Sequence, residues 1–306
     1  MIFVVDSGST KTDWISLNYK GDVLFSTQTL GLNPQVLPSA ILTERIINNY
    51  DLYQNREKVS HIYFYGAGCG VETPVKRIEK VFKEIFVKAK FSIKEDTYAA
   101  VYSTSSIGQP AIVCILGTGS NCSYFDGKEI EQRIDSLGYV LMDEASGNFY
   151  GKQLIRAYYF KTMPTPLAKE LKKQFDLSAD TIKENVYRKE NPNTYLAKFA
   201  QFVIEHKEVP EMKAIIHNGL QRFISHQILQ FKDAKSIPIH FVGSIAFYLK
   251  TEVEEALINN GLKIGNVIKR PIDGLVAHHK RLLDTSYICL LYTSDAADER
   301  SSVDLG

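Results

Sequence analysis

The chain has 306 residues, 36 Lys and Arg against 35 Asp and Glu, a formal net charge of +1, and a composition that is 44% hydrophobic and 23% charged. So even a balance excludes a partner held by bulk charge, whether nucleic acid or an anionic membrane surface, and the length suits two domains better than one. The four cysteines, Cys69, Cys114, Cys122 and Cys289, show no CxxC spacing, which excludes a zinc ribbon or a disulfide framework and fits a reducing compartment. No apolar run reaches transmembrane length and Asp6 comes too early for a signal peptide, so a cytoplasmic protein is expected.

Residues 2–6, 12–18 and 22–29 alternate or run apolar around a "YKGD" turn, the pattern of an antiparallel meander. Residues 38–52 and 73–89 carry apolar positions at helical spacing, and "HIYFYGAG" between them is a buried strand ending in glycines. "FSI" is a short strand, and "EDTYAAVYS" after it is a helix with carboxylates in its first turn. The plan then restarts. "AIVCILGTGSNCSYFDGKEIEQRID" reads as strand, glycine turn, strand, Asp-Gly turn and strand, followed by a mostly helical stretch from about 145 to 231. "PIHFVGSIAFYLKTEVEEAL" enters a helix through Gly-Ser, and "LKIGNVIKRPIDGLVAHHKRLL" closes the pattern as a βα unit. Two halves with one plan imply two related α/β domains, with ligands expected in a cleft between them.

Five short motifs carry candidate chemistry. In "DSGSTKT", residues 6–12, a glycine and consecutive backbone amides can cradle a phosphate, and Asp6 at a strand end can hold Mg²⁺ through water; an ordinary hairpin turn fits the same residues. "LGTGSN", residues 116–121, repeats the device in the second half, with Thr118, Ser120 and Asn121 adding side-chain donors. Asp96 opens a helix directly after a strand. It reads equally as an N-terminal cap or as the acceptor of a proton from an attacking hydroxyl, and the helix N-terminus is expected to depress its pKa. "FVGS", residues 241–244, is a strand–helix junction with flat backbone at Gly243 on which a base or ribose can lie. In "SLGYVLMDEASG", residues 136–147, Asp143 and Glu144 are either an acidic helix start or, at Asp143, an acceptor for a polyhydroxylated ligand.

In this order the motifs resemble the sugar kinase, heat-shock protein 70 and actin superfamily, and within it the N-acetylglucosamine kinase branch of the BadF/BadG/BcrA/BcrD ATPase family, over residues 1–283. "GLNP", residues 31–34, is similar to the sugar-contacting segment of that branch. The resemblance implies two actin-like, ribonuclease H-like domains with ATP and sugar in the cleft. It implies domain bounds of 1–106, closed by a C-terminal helix at 272–288, and 107–271 with a helical insertion. Asp6, Gly8, Ser9, Thr10 and Lys11 match the first phosphate loop, Thr118, Gly119 and Ser120 the second, Gly243 and Ser244 the adenosine turn, and Asp96 the catalytic carboxylate. Asn33, Gly68, Asn121 and Asp143 match positions near the sugar. The branch reads Gly-Asp-Glu-Gly where this chain has Met142-Asp143-Glu144-Ala145.

The expected activity is ATP- and Mg²⁺-dependent phosphorylation of an amino sugar, N-acetylglucosamine above all, by a homodimer with no nucleic-acid or membrane partner. An ATPase that activates a partner enzyme through an iron–sulfur cluster and a non-catalytic sugar sensor are the alternatives. The tail from Cys289, "CLLYTSDAADE", matches the translation of a transposase adapter used in sequencing libraries, so residues 289–306 are read as non-native.

Overall fold

The computed structural model describes residues 1–8, 11–106 and 108–283. They divide into two compact units, one made of residues 1–103 with residues 271–283 and one of residues 104–270. Ser9, Thr10 and the tail expected to be non-native lie outside the described residues.

In the first unit β1 (Ile2–Ser7) pairs antiparallel with β2 (Lys11–Leu17), which pairs antiparallel with β3 (Val23–Leu30). The connection between β1 and β2 is therefore shorter than the motif, and both Asp6 and Lys11 are strand residues. Parallel to β1 runs β4 (His61–Gly66), and parallel to β4 runs β5 (Lys90–Glu95), giving the order β3-β2-β1-β4-β5. Central β1 is almost wholly buried because both of its faces are covered. Phe3 and Val5 enter one core with Trp14, Phe64, Phe82 and Phe86, and Ile2 and Val4 enter the other with Tyr65, Ala99, Ile272 and Leu275. Period-two alternation is the cause. Each phenylalanine so buried contributes about 1.5–3 kcal/mol.

The continuous helix expected over 38–52 is two helices, α1 (Ser39–Ile47) and α2 (Tyr50–Asn55). Asn49 sits in extended backbone between them, and its side chain accepts a hydrogen bond from the Leu52 amide. The apolar spacing hid the break because Leu42, Ile46 and Leu52 all reach the same core. Next comes α3 (Glu72–Ile85), which stops before the expected residue 89, where Phe86 leaves helical backbone and is buried. The first unit's last element before the crossover is α4 (Asp96–Thr104), and helical residues 271–283 return to pack beside it. Gly274 permits that packing, since an added Cβ would stand 2.7 Å from Ser103 Cβ.

In the second unit β6 (Ala111–Leu116) pairs antiparallel with β7 (Ser120–Phe125), and β7 with the short β8 (Ile130–Glu131). Six helices follow: α5 (Gly147–Tyr159), α6 (Thr165–Gln174), α7 (Ala179–Tyr187), α8 (Pro192–Ala197), α9 (Ala200–Glu205) and α10 (Pro210–His226). Then β9 (Pro238–Val242) runs parallel to β6, α11 (Ser244–Tyr248) and α12 (Lys250–Asn259) follow, and β10 (Lys263–Ile268) runs parallel to β9. The order β8-β7-β6-β9-β10 repeats that of the first sheet, strand for strand and direction for direction. The expected helical stretch is inserted between β8 and β9, where the first unit has only α1 and α2. Among the described residues no helix is long and apolar enough to cross a membrane.

Candidate active site

In the first hairpin the Gly8 amide donates to the Lys11 carbonyl at 3.0 Å, and Asp6 stands directly opposite Asp13 in the ladder. Cross-strand partners share a face, and so do residues two apart, so Asp6, Asp13 and Lys11 lie on one side of the sheet. The Lys11 ammonium is 3.0 Å from Asp13 Oδ2, and Gln28 Nε2 donates to Asp13 Oδ1 at 2.7 Å. On the other face the Ser7 and Thr12 hydroxyls meet at 2.8 Å, and Ser7 Oγ accepts from the Leu32 amide at 3.1 Å. Ser7 thus anchors the segment carrying Asn33, while its own carbonyl accepts from the Ala67 amide at 2.8 Å and anchors the loop carrying Gly68.

These two anchored segments meet. Asn33 is buried, its Oδ1 accepts from the Gln35 amide at 2.9 Å, and Gly68 packs against its side-chain amide. Beside them Gly70 packs on Glu95, whose Oε1 would be 3.0 Å from an added Cβ. Glu95 ends β5 and Asp96 begins α4. Burial pushes the Cys69 thiol up to about 12, with the Asp96 and Glu95 charges adding to the effect. The Asp96 carboxyl is pushed up to about 6, first by burial and then by the Glu95 charge. Hydrogen bonds from the amides of Thr97 and of Asp96 itself pull the other way and lose. The expected depression by the helix N-terminus is thus reversed, because removal from water outweighs the amide donors.

In the second unit the hairpin between β6 and β7 is held by α5. The Gly117 carbonyl accepts from the Gly147 amide at 2.8 Å, and the Thr118 carbonyl accepts from the Asn148 amide at 3.0 Å. In a trans peptide the carbonyl and the following N–H point in opposite directions. Because these two carbonyls are turned onto α5, the amides of Thr118 and Gly119 point away from it, as two consecutive donors of the kind that cradle an anion. Ser120 and Asn121 open β7, and Asn121 Oδ1 accepts from Ser123 Oγ at 3.1 Å. Asp143 is buried against Gly119, where an added Cβ would lie 2.8 Å from its Oδ2, and Asn148 Nδ2 donates to that same oxygen at 2.8 Å. Glu144 is 3.5 Å from Arg222, and Lys152 donates to the Tyr139 carbonyl, which steadies the preceding loop.

Gly243 adopts φ +118 and lies against the start of the same hairpin; an added Cβ would overlap the Leu116 carbonyl, at 2.7 Å from its carbon. Ser244 opens α11 and lines a cavity of about 460 Å³ with Ala197, Ala200, Gln201, Ile204 and Tyr248. The second unit therefore brings Thr118, Gly119, Ser120, Asp143, Gly243 and Ser244 onto connected segments, and the first does the same for Asn33, Gly68 and Asp96.

No protein-family model and no curated protein sequence matches the chain. Among solved structures, a candidate N-acetylglucosamine kinase from Porphyromonas gingivalis is 31% identical, with 92% of this chain and 99% of that protein covered and a TM-score of 0.86. The chain belongs to the N-acetylglucosamine kinase-like branch of the BadF/BadG/BcrA/BcrD ATPase family. A candidate N-acetylglucosamine kinase from Chromobacterium violaceum shares the fold at 17% identity, with 90% of this chain and 98% of that protein covered and a TM-score of 0.68. A ROK family glucokinase from Streptomyces griseus, in complex with glucose and AMPPNP, shares it at 12% identity, 90% and 97% coverage and a TM-score of 0.53. Both units have the actin-like α/β fold of this superfamily.

Relative to the N-acetylglucosamine kinase-like pattern, the replaced glycines have unequal consequences. Ala145 adopts φ +58, left-handed backbone that favours glycine, whereas Met142 is not among the residues with positive φ. Asp143, at φ +72, also lies in that region. Asp13 and Asn148 escape motif reading, and Glu95, expected among the carboxylates of the helix's first turn, is instead the last residue of β5. Asp13 was findable, since a turn at Gly8 places it opposite Asp6. Asn148 owes its place to tertiary packing.

Proposed function

We propose that this protein transfers the γ-phosphoryl group of ATP to a hydroxyl of an amino sugar, with N-acetylglucosamine as the substrate. The observation that carries the reading is Asp96, a carboxyl pushed up to about 6 by burial, whose charge acts on Cys69, the residue after the Gly68 that packs on Asn33. A base of that strength is ionised at neutral pH and still accepts a proton. The sugar hydroxyl attacks the γ-phosphorus, the bond to the bridging oxygen of ADP breaks, and the hydroxyl proton passes to Asp96. Loose phosphoryl transfer asks mainly for positioning and charge stabilisation. In this reading the amides of Thr118 and Gly119, the Ser120 hydroxyl, the loop from Gly8 through Ser9 and Thr10, and Lys11 supply the stabilisation. Asn33, Gly68, Asn121 and Asp143 hold the sugar, and the Gly243–Ser244 junction with its 460 Å³ cavity holds adenosine.

The oxygen donors on the shared face of the first hairpin, Asp6 and Asp13, suit a hard divalent cation. They would hold Mg²⁺, Asp6 through water, and Mg²⁺ would neutralise charge on the phosphates. The activator reading finds less support: Cys69, Cys114 and Cys122 are all buried, and burial raises the thiol pKa of Cys69 and Cys114, whereas an iron–sulfur cluster needs thiolates. ADP release with ATP and Mg²⁺, measured across N-acetylglucosamine, glucosamine, N-acetylmannosamine, glucose and no sugar, tests the proposal. Release that requires N-acetylglucosamine supports it; release indifferent to every sugar overturns it.

A further inference from the structure

We propose that Asn148 is a positioning residue that sets the Gly119 amide and the Asp143 carboxylate with one side chain, coupling nucleotide and sugar binding; this rests on the kinase reading above. Asn148 is the second residue of α5 and has no exposed surface. Its Nδ2 donates to the Thr118 carbonyl at 2.7 Å and to Asp143 Oδ2 at 2.8 Å, so both of its protons are used. The amide cannot turn over, because Oδ1 would then face two acceptors. Its backbone amide donates to the same Thr118 carbonyl at 3.0 Å.

The Thr118 carbonyl is thus held twice by one residue. Planarity makes the orientation of that carbonyl the orientation of the Gly119 N–H, which points away from α5. The second proton of Nδ2 fixes the rotamer of Asp143, whose carboxylate already rests on Gly119. A shift at either end therefore passes to the other through a single amide.

Stability alone does not explain an asparagine here. Asn148 Oδ1 is buried with no hydrogen-bond partner, an arrangement that opposes folding. The side chain carries a polar atom that folding would shed, in exchange for two oriented donors.

The test is steady-state kinetics of the full chain with sugar and ATP varied separately, alongside thermal unfolding, for wild type, Asn148→Ala and Asn148→Ser. Loss of the Nδ2 bonds is expected to raise the KM for both substrates roughly tenfold, with unfolding temperatures close to wild type. In an Asp143→Ala background, Asn148→Ala should no longer affect the sugar KM yet still raise the ATP KM. Asn148→Asp should raise both KM values more than alanine does near neutral pH, and that excess over alanine should shrink as the pH falls, since it sets a carboxylate against a carboxylate and a carbonyl. Lower unfolding temperatures with both KM values unchanged would overturn the proposal, as would a sugar effect that persists without Asp143. Should the wild type show no sugar-dependent ADP release, the kinase reading fails instead. Calorimetric binding of AMPPNP then still reads the Thr118 arm: weaker binding by Asn148→Ala supports that arm, and equal binding overturns it.

Discussion

Gly68 packs so closely on Asn33 that an added Cβ would overlap Oδ1 of the asparagine and lie 3.0 Å from its Cγ, and Gly68 itself adopts φ +79. Two independent demands meet at this glycine, a left-handed backbone and an absent side chain. Gly68→Ala is expected to cost about 1–2 kcal/mol in backbone strain, lowering the unfolding temperature by roughly 2–4 °C per kcal/mol. It should also displace Asn33 and raise the sugar KM by more than tenfold while the ATP KM stays within about twofold. Separate KM measurements for the two substrates decide whether Asn33 belongs to the sugar.

The raised pKa of Asp96 predicts a pH profile. Activity should fall on the acid side with a midpoint near 6, as the carboxylate takes up a proton. Glu95 contributes to that shift, so Glu95→Gln should move the acid limb to lower pH. Asp96→Asn should lose turnover by about 10²–10⁴-fold with sugar binding retained. Near-normal turnover would remove Asp96 from the mechanism.

The same shift has a stability sign. Asp96 is harder to ionise folded than unfolded, so its ionisation opposes folding as the pH rises above the unfolded value of 3.8 and through about 6. Asp96→Asn should therefore unfold at a higher temperature than wild type at pH 8, and the difference should vanish near pH 4. Thermal scans at the two pH values check this.

His278 and His279 carry the opposite dependence. Burial, with the charges of Arg281, His278 and His61 adding to it, lowers His278 to about 4 and His279 to about 3 from 6.5. Tyr65 Oη lies 2.9 Å from His279 Nε2, and the His278 ring stacks on Tyr102 with centroids 4.6 Å apart. Folding holds both rings neutral, so stability is full above 6.5 and is lost as the pH falls through about 4 and about 3. His279→Asn should flatten the slope of unfolding free energy between pH 6.5 and 4, at some cost in stability at pH 7.5. Denaturant titrations across that range measure it.

Ala145 sets strain against burial. Its left-handed backbone costs about 1–2 kcal/mol relative to glycine, while its fully buried methyl contributes about 0.8 kcal/mol and glycine would add chain entropy of about 0.4–1 kcal/mol to the unfolded state. Ala145→Gly should therefore change unfolding free energy by less than about 1 kcal/mol, which explains how the chain tolerates losing the family glycine. A β-branched residue has no such balance, and Ala145→Val should lose at least about 2 kcal/mol. Chemical denaturation of the two variants separates the cases.

Local order along the chain determined the meander "VVDSGSTKTDW", its echo "AIVCILGTGSN" and the strand-to-helix junction at Asp96, because strand alternation, turn glycines and helix starts are short-range signals. It also placed Gly243, where a strand enters a helix. It could not show the break at Asn49, since the apolar period runs unbroken through two helices that share one core. Nor could it show that Asn148 holds Thr118, thirty residues earlier, or that Glu95 presses on Gly70, because those contacts join segments that only folding brings together. The basicity of Asp96 is the clearest division. Its position was legible as the first residue of a helix, but its pKa depends on how much water the surrounding chain removes, and that is a property of the packed unit alone.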